Sequence, residues 1–232
     1  SGELIWWRPG PYWEAWTPAA HQEVVYIWLG GRLRANDINA GDTLWSILVT
    51  AQEKLNESSL YWWGVSPVID TINSLAYCML HKDVYVVDLS TRQLLWSDTG
   101  DFGGGINPAI SDDMAFAIRN GGLIVYNGLS GDSLWSFFGS DYFIYPPVIA
   151  NGYVFVSSLN ETYAINIISR QSEWSYPAGG FLTIAGNSLY IADSSGTLYA
   201  FGDLSTSVED EGRSELPSNF LLQQNYPNPF NP

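Results

Sequence analysis

The stretch that decides the fold is "GDSLWS", residues 131–136, because it comes back along the chain. Close versions stand at 41–46 ("GDTLWS"), 92–97 ("RQLLWS") and 170–175 ("RQSEWS"), and "LIWW" at 4–7 carries the same indole in similar company. The five tryptophans are Trp6, Trp45, Trp96, Trp135 and Trp174, spaced by 39, 51, 39 and 39 residues. Nineteen positions before each of the last four stands an aromatic: Tyr26, Tyr77, Phe116 and Phe155. A proline-led segment precedes that in turn, at Pro18, Pro67, Pro108 and Pro147. Self-similarity at a period near forty residues is the mark of a repeat architecture.

Each repeat reads as four short strands: one led by proline, one centred on the aromatic, one such as "DVYVVDL" or "GLIVYNG", and the tryptophan strand. Dipeptides such as Asn151-Gly152, Gly121-Gly122 and Gly30-Gly31 separate them, and their glycines accept the positive φ that tight hairpins demand. About forty residues holding four antiparallel strands make a propeller blade, which cannot bury its faces alone and must stack on its neighbours. The expected fold is therefore all-β, a β-propeller of four-stranded antiparallel blades over residues 1–202. Four units are complete, and a fifth begins near Thr183 but lacks its tryptophan strand. Leu4 to Trp7 are expected to supply that strand and close a five-bladed ring without exposed edges. The alternative is a fragment of a larger ring with upstream blades missing. The chain starts at Ser1 without a signal peptide, so either a leader has been removed or upstream sequence is absent.

Composition fits this reading. The 232 residues are 46% hydrophobic and 14% charged, as in a globular protein, and 22 glycines with 12 prolines punctuate the chain in favour of strands and turns. Nine basic residues against 24 acidic ones give a net charge of −15, which repels phosphate backbones and anionic lipid, so nucleic acid is excluded as a partner class. No apolar run approaches the ~20 residues of a membrane-spanning helix. The single cysteine, Cys78, excludes an internal disulfide and is expected to be a buried apolar residue on a strand.

The order of a proline strand, an aromatic strand, a segment such as "SLYIADSSGTLYAFGD" (188–203) and a "G-D-x-L-W" turn resembles the PQQ-like propeller repeat. Arg92 and Arg170 stand where that repeat has glycine, at a cost of about 1 kcal/mol each if the left-handed conformation is kept. The resemblance implies propeller architecture over residues 3–203. It also raises quinoprotein dehydrogenases as an enzymatic alternative. Those enzymes resemble this chain only in the repeat: they bind a quinone beside calcium, several of them on a disulfide of adjacent cysteines, and this sequence has one cysteine and no calcium-ligand spacing. No cofactor or metal is expected, and the reading leans against an enzyme. A third alternative implied by the same repeat is a periplasmic scaffold for outer-membrane assembly.

Residues 203–219 are acidic, polar and aperiodic, the composition of a linker. The chain then reads "NFLLQQNYPNPFNP", which resembles the opening of the C-terminal sorting domain of type IX secretion substrates. Phe220, Leu222, Gln224, Asn225, Tyr226, Pro227, Asn228, Pro229, Phe230, Asn231 and Pro232 match it position for position. The resemblance implies export by the type IX machinery of a Gram-negative bacterium, acting on the complete domain of which residues 220–232 are the truncated start. The protein would then be secreted or held at the cell surface.

No catalytic constellation emerges, since His21 and His81 lie on different blades away from any serine or cysteine motif. Asp112-Asp113 and "DTGDFGGG" (98–105) read as solvated loops. The recurring tryptophans either pack between sheets, as a residue common to every blade should, or stack on a cofactor. The loops joining each tryptophan strand to the next proline strand emerge on one face, at 8–16, 50–64, 98–106, 139–145 and 176–181, and the second accounts for the 51-residue spacing. They gather Trp13, Trp16, Tyr61, Trp62, Trp63, Tyr142 and Phe143. Facing solvent beside acidic residues, such rings would stack on a glycan or form a protein-binding hot spot; alternatively they plug the propeller mouth.

Overall fold

The computed structural model describes residues 2–7, 17–29, 31–49, 66–80, 83–100, 106–186 and 188–202. These form nineteen strands and no helix. The fold is a β-propeller whose blades are antiparallel meanders, with strand order following chain order in every sheet. The first blade holds β1 (Ala19–His21), β2 (Val24–Leu29), β3 (Arg32–Asp37) and β4 (Thr43–Leu48). The second holds β5 (Val68–Asp70), β6 (Leu75–Leu80), β7 (Asp83–Asp88) and β8 (Gln93–Thr99). The third holds β9 (Ala109–Ser111), β10 (Met114–Arg119), β11 (Gly122–Asn127) and β12 (Ser133–Phe137). The fourth holds β13 (Val148–Ala150), β14 (Tyr153–Ser157), β15 (Thr162–Asn166) and β16 (Ser172–Tyr176). The fifth sheet has three strands, β17 (Phe181–Ala185), β18 (Ser188–Ala192) and β19 (Leu198–Gly202).

The nineteen-residue spacing has a geometric cause. In the fourth blade Val148 faces Phe155, Phe155 faces Ala164, and Ala164 faces Trp174, so one row crosses all four strands. The same row runs Ala19, Tyr26, Ala35, Trp45 in the first blade and Val68, Tyr77, Val86, Trp96 in the second. The third-strand residue is small or β-branched and fully buried, which lets the rings on either side of it meet. Ring centroids are 6.1 Å apart for Tyr26 and Trp45, 6.2 Å for Tyr77 and Trp96, and 6.2 Å for Phe116 and Trp135, within the range of favourable aromatic pairs. The pairing shifts by one residue just before each tryptophan, between Ala35/Asn36, Val86/Val87, Val125/Tyr126 and Ala164/Ile165. Leu44, Leu95 and Leu134 take the extra position and are left half-exposed, as bulged residues are.

The chain divides into two compact units, Ser1–Pro108 with Asn127–Asp132, and Ala109–Tyr126 with Ser133–Pro232. In the first, Tyr26, Trp28, Leu33 and Ala35 pack on Ala76, Cys78, Tyr85 and Val87, and the Trp28 indole donates to the Met79 carbonyl at 2.7 Å. In the second, Phe155, Ala164 and Trp174 pack on Leu189 and Ile191.

The turn before each tryptophan strand is built by an Asx residue. Oδ1 of Asp37 accepts the backbone N–H groups of Asn39 and Ala40, and Asp88, Asn127 and Asn166 repeat this two and three residues ahead. The residue four positions on is left-handed: Gly41 (φ 71), Arg92 (φ 59), Gly131 (φ 77) and Arg170 (φ 61). The two arginines therefore do adopt the strained conformation. Between β10 and β11 the left-handed pair is Asn120-Gly121 rather than Gly121-Gly122, because Gly122 already begins the strand.

Residues 2–7 form no strand, and among the described residues β19 pairs only with β18, so the expected pairing of Leu4–Trp7 with the fifth sheet is not made. Trp6 holds this segment by its side chain instead. Its Nε1–H donates to the Ile38 carbonyl at 2.7 Å, and its ring covers Gly41, where a Cβ would sit 2.5 Å from ring carbons. Leu4, Ile5 and Trp7 remain exposed.

Candidate binding face

The 139–145 loop is held by the hairpin that joins β14 to β15. Tyr163 donates its hydroxyl to the Glu161 carboxylate, Ser140 Oγ donates to Glu161 Oε2 at 2.8 Å, and Ser140 N–H donates to the Tyr163 hydroxyl at 3.1 Å. The Asn160 amide donates to Asp141 Oδ2 at 3.0 Å. Backbone bonds from Phe143 N to Gly121 O (2.9 Å) and Ile144 N to Ser157 O (3.2 Å) fix its path. The Tyr163 hydroxyl holds the Glu161 carboxyl below its ordinary value, with partial burial opposing and the Ser140 hydroxyl assisting.

Beneath the 176–181 loop lies a buried hydroxyl pair. Ser157 Oγ and Thr162 Oγ1 are 3.0 Å apart, Thr162 donates to the Ala178 carbonyl at 2.7 Å, and Gly180 N–H donates to Ser157 Oγ at 2.8 Å. Both side chains are fully buried and satisfied, so the loop is tied to the sheet at little desolvation cost. Gly179 and Gly180 lie flat on backbone, against Ser158 and Ala192 respectively, where no side chain fits.

Successive residues of the extended 142–144 segment point opposite ways, and this divides the predicted pair. Tyr142 is 72% exposed, with its ring laid over Gly121. Phe143 is 1% exposed and packs on Phe137 and Tyr163, with centroids at 6.2 and 5.7 Å. Phe143 is thus a core residue, which corrects its placement among solvent-facing rings. Trp13, Trp16, Tyr61, Trp62 and Trp63 lie outside the described residues, as do residues 203–219 and the sorting segment Phe220–Pro232.

The second unit adds exposed apolar side chains that sequence reasoning passed over. Phe138 is 60% exposed and lies on Gly122, Phe181 is 63% exposed and packs edge-on against Tyr145 at 4.7 Å, and Ile144 and Leu159 are partly exposed. The signal for Phe138 is the doubled glycine at 121–122, since both glycines are floors for aromatic rings as well as turn residues. Asp141 and Glu161 add carboxylates to the same loop and hairpin.

In the first unit a cleft of about 210 Å³ is lined by His21, Tyr26, Ile69, Asp70 and Ser90. Its carboxylate is committed locally, since Asp70 accepts from Ile72 N, Asn73 N and the Asn73 amide. His81 lies outside the described residues. Among the described residues no three His, Cys, Asp or Glu side chains converge as metal ligands. Cys78 is fully buried on β6, and burial pushes its thiol well up, so it offers no surface to a quinone ring. The described residues do not fit the quinone cofactor that the repeat brings to mind.

The five meandering sheets, the tryptophan row and the Asx turns define a propeller of PQQ-like repeats. The chain belongs to the family described as outer membrane protein assembly factor BamB, whose model matches residues 1–137. Among solved structures it is similar to BamB from Moraxella catarrhalis, with a TM-score of 0.67 at 17% identity over 84% of this chain and 62% of that one. It is similar also to the computationally designed Ika8 protein, with a TM-score of 0.64 at 14% identity over 80% of this chain and 57% of that one. The chain thus spans somewhat under two thirds of the length of each, and the likeness is one of fold. No curated protein matches the sequence.

Proposed function

We propose that this propeller is a non-catalytic binding or scaffold module acting outside the cytoplasm. The observation that carries the reading is the set of exposed apolar side chains in the second unit, Phe138, Tyr142, Ile144, Leu159 and Phe181, of which Tyr142 and Ile144 stand on a loop held by side-chain hydrogen bonds. A loop held this rigidly loses little entropy on binding, and exposed rings with a carboxylate on the same loop suit a protein or glycan partner. The tail's resemblance to type IX sorting segments supports export to the cell surface or medium.

A second reading, a periplasmic scaffold in outer-membrane assembly, is favoured by the description of the family to which the chain belongs. Fractionation separates the two. Protein from the intact gene, produced in a bacterium with and without the type IX machinery, is expected at the surface or in the medium only when the machinery is present. Retention in the periplasm in both cases supports the assembly reading. For the face itself, a photo-crosslinking residue at position 142 should capture a partner, and the capture should be lost in a Phe138→Ala, Phe181→Ala double variant. Equal capture from that variant removes this surface from the proposal.

A further inference from the structure

The cleft of about 210 Å³ in the first unit lies where three turns meet: the β1–β2 turn, the β5–β6 turn and the Asx turn after β7. Leu89 N–H donates to the Ser74 carbonyl at 2.9 Å and ties the last two together. His21, Gln22, Tyr26, Thr71 and Ser74 line the cleft, and none of their side chains makes a hydrogen bond among the described residues. Uncommitted polar groups that converge on a concavity are characteristic of ligand sites.

The turns here depart from those of the other blades. The β5–β6 turn spans residues 71–74, whereas the turns at 22–23, 112–113 and 151–152 span two residues each. Asp112 (φ 50) and Asn151 (φ 50) open two of those short turns and are of the types that tolerate the left-handed region. Gln22 (φ 53) opens the third and is not. Ser74 closes the longer turn at φ 55. Strain of this kind gathers at ligand sites, and both Gln22 and Ser74 line the cleft.

Of the described residues lining it, Asp70 alone is acidic and none is lysine or arginine, so an anion has no counter-charge there. Asp70 is 6% exposed, and its oxygens already accept from Ile72 N, Asn73 N and the Asn73 amide. Its charge is stabilised within the turn rather than aimed at a cation. What remains is a set of hydroxyls, an amide and an imidazole, beside the apolar side chains of Ile69 and Leu89. We propose that this cleft binds one neutral sugar ring, with its hydroxyls on Tyr26, His21, Gln22 and Ser74 and its C–H face on Ile69 and Leu89.

The test titrates D-glucose, D-galactose and D-mannose, with acetate and methylammonium as charged controls, into the full 232-residue chain. NMR follows the His21 imidazole, its signal assigned by its loss in His21→Gln. At least one sugar should shift that signal saturably, and neither ion should. Ser90→Leu crowds the cleft without disturbing its turn, because Leu129 and Ile168 stand at the same place in the third and fourth blades. It should abolish the shift at an unchanged thermal midpoint. Ser74→Gly should weaken binding about fivefold, the scale of one hydrogen bond, while raising the midpoint by easing the left-handed position. The inference is overturned if no sugar shifts the His21 signal, or if either ion shifts it as strongly as the sugars do. It is overturned equally if Ser90→Leu or Ser74→Gly, folded, binds as tightly as the wild type.

Discussion

Trp96 donates its indole N–H to the carbonyl of Gly128 at 2.8 Å and covers Gly131 with its ring, just as Trp6 donates to Ile38 and covers Gly41. In both pairs the acceptor lies 32 residues after the tryptophan. One side chain thus closes a long sequence separation with a directional bond and a stacked face at once.

Trp96→Phe keeps most of the apolar contact and loses the bond, and should cost about 1–2 kcal/mol. Trp96→Ala also empties the space beside Tyr77 and should cost about 3–5 kcal/mol. Trp135→Ala, which removes the partner of Phe116, belongs to the same class. Urea unfolding midpoints at constant m-value measure all three, and a phenylalanine variant as damaged as the alanine one would show that the hydrogen bond dominates.

Arg170→Gly should stabilise the protein by roughly 0.5–1 kcal/mol, the relief of a left-handed non-glycine residue less the extra chain entropy of glycine. Arg92→Gly should gain less. The guanidinium of Arg92 stands 5.8 Å from the Trp45 ring centroid, and losing that cation–π contact offsets about 0.5–1 kcal/mol. Thermal unfolding of the two variants side by side reads the difference directly.

The depressed carboxyl of Glu161 sets a pH dependence with a definite sign. Its folded-state value lies below the ordinary 4.5, so its contribution is complete above that pH and is lost as the pH falls through the lower folded value. The stability difference between wild type and Glu161→Gln should therefore be constant from neutral pH down to the ordinary carboxylate range and shrink below it. Denaturation series at stepped pH check this; a difference that grows on acidification contradicts it.

Gly180→Ala places a methyl group against the Ala192 carbonyl, which is backbone and cannot swing aside. The loop must lift, stretching the Gly180 to Ser157 bond, at a cost of about 1–3 kcal/mol. Gly152→Ala meets nothing within 4 Å and pays only for its positive φ of 78°, about 1–2 kcal/mol. Comparing the two by chemical denaturation separates steric from conformational cost.

The repeat was legible because its rows are periodic: the tryptophan, the aromatic nineteen positions earlier and the residue after the proline are one line across a sheet. What stayed hidden depended on side-chain direction rather than on residue type. Tyr142 and Phe143 are both aromatic and adjacent, and only the extended backbone of their loop sends one to solvent and the other into the core. The Leu4–Trp7 segment reads as a strand from its apolar residues, yet it forms no strand among the described residues and Trp6 anchors it through one indole. Phe138 and Phe181 sit at the ends of strands where the repeat makes no demand, so nothing periodic marked them.

The separation of 32 residues that Trp6 and Trp96 share with their acceptors bears on how such chains lengthen. Trp6 and Trp96 each donate to a turn of the repeat that follows. A tandem duplication of one repeat, cut anywhere within it, therefore delivers both halves of a new contact in register, and the flanking contacts keep their spacing. Growth or loss by whole repeats needs no compensating substitution at the junction, whereas an insertion of any other length changes the spacing, as between Trp45 and Trp96, which stand 51 residues apart rather than 39.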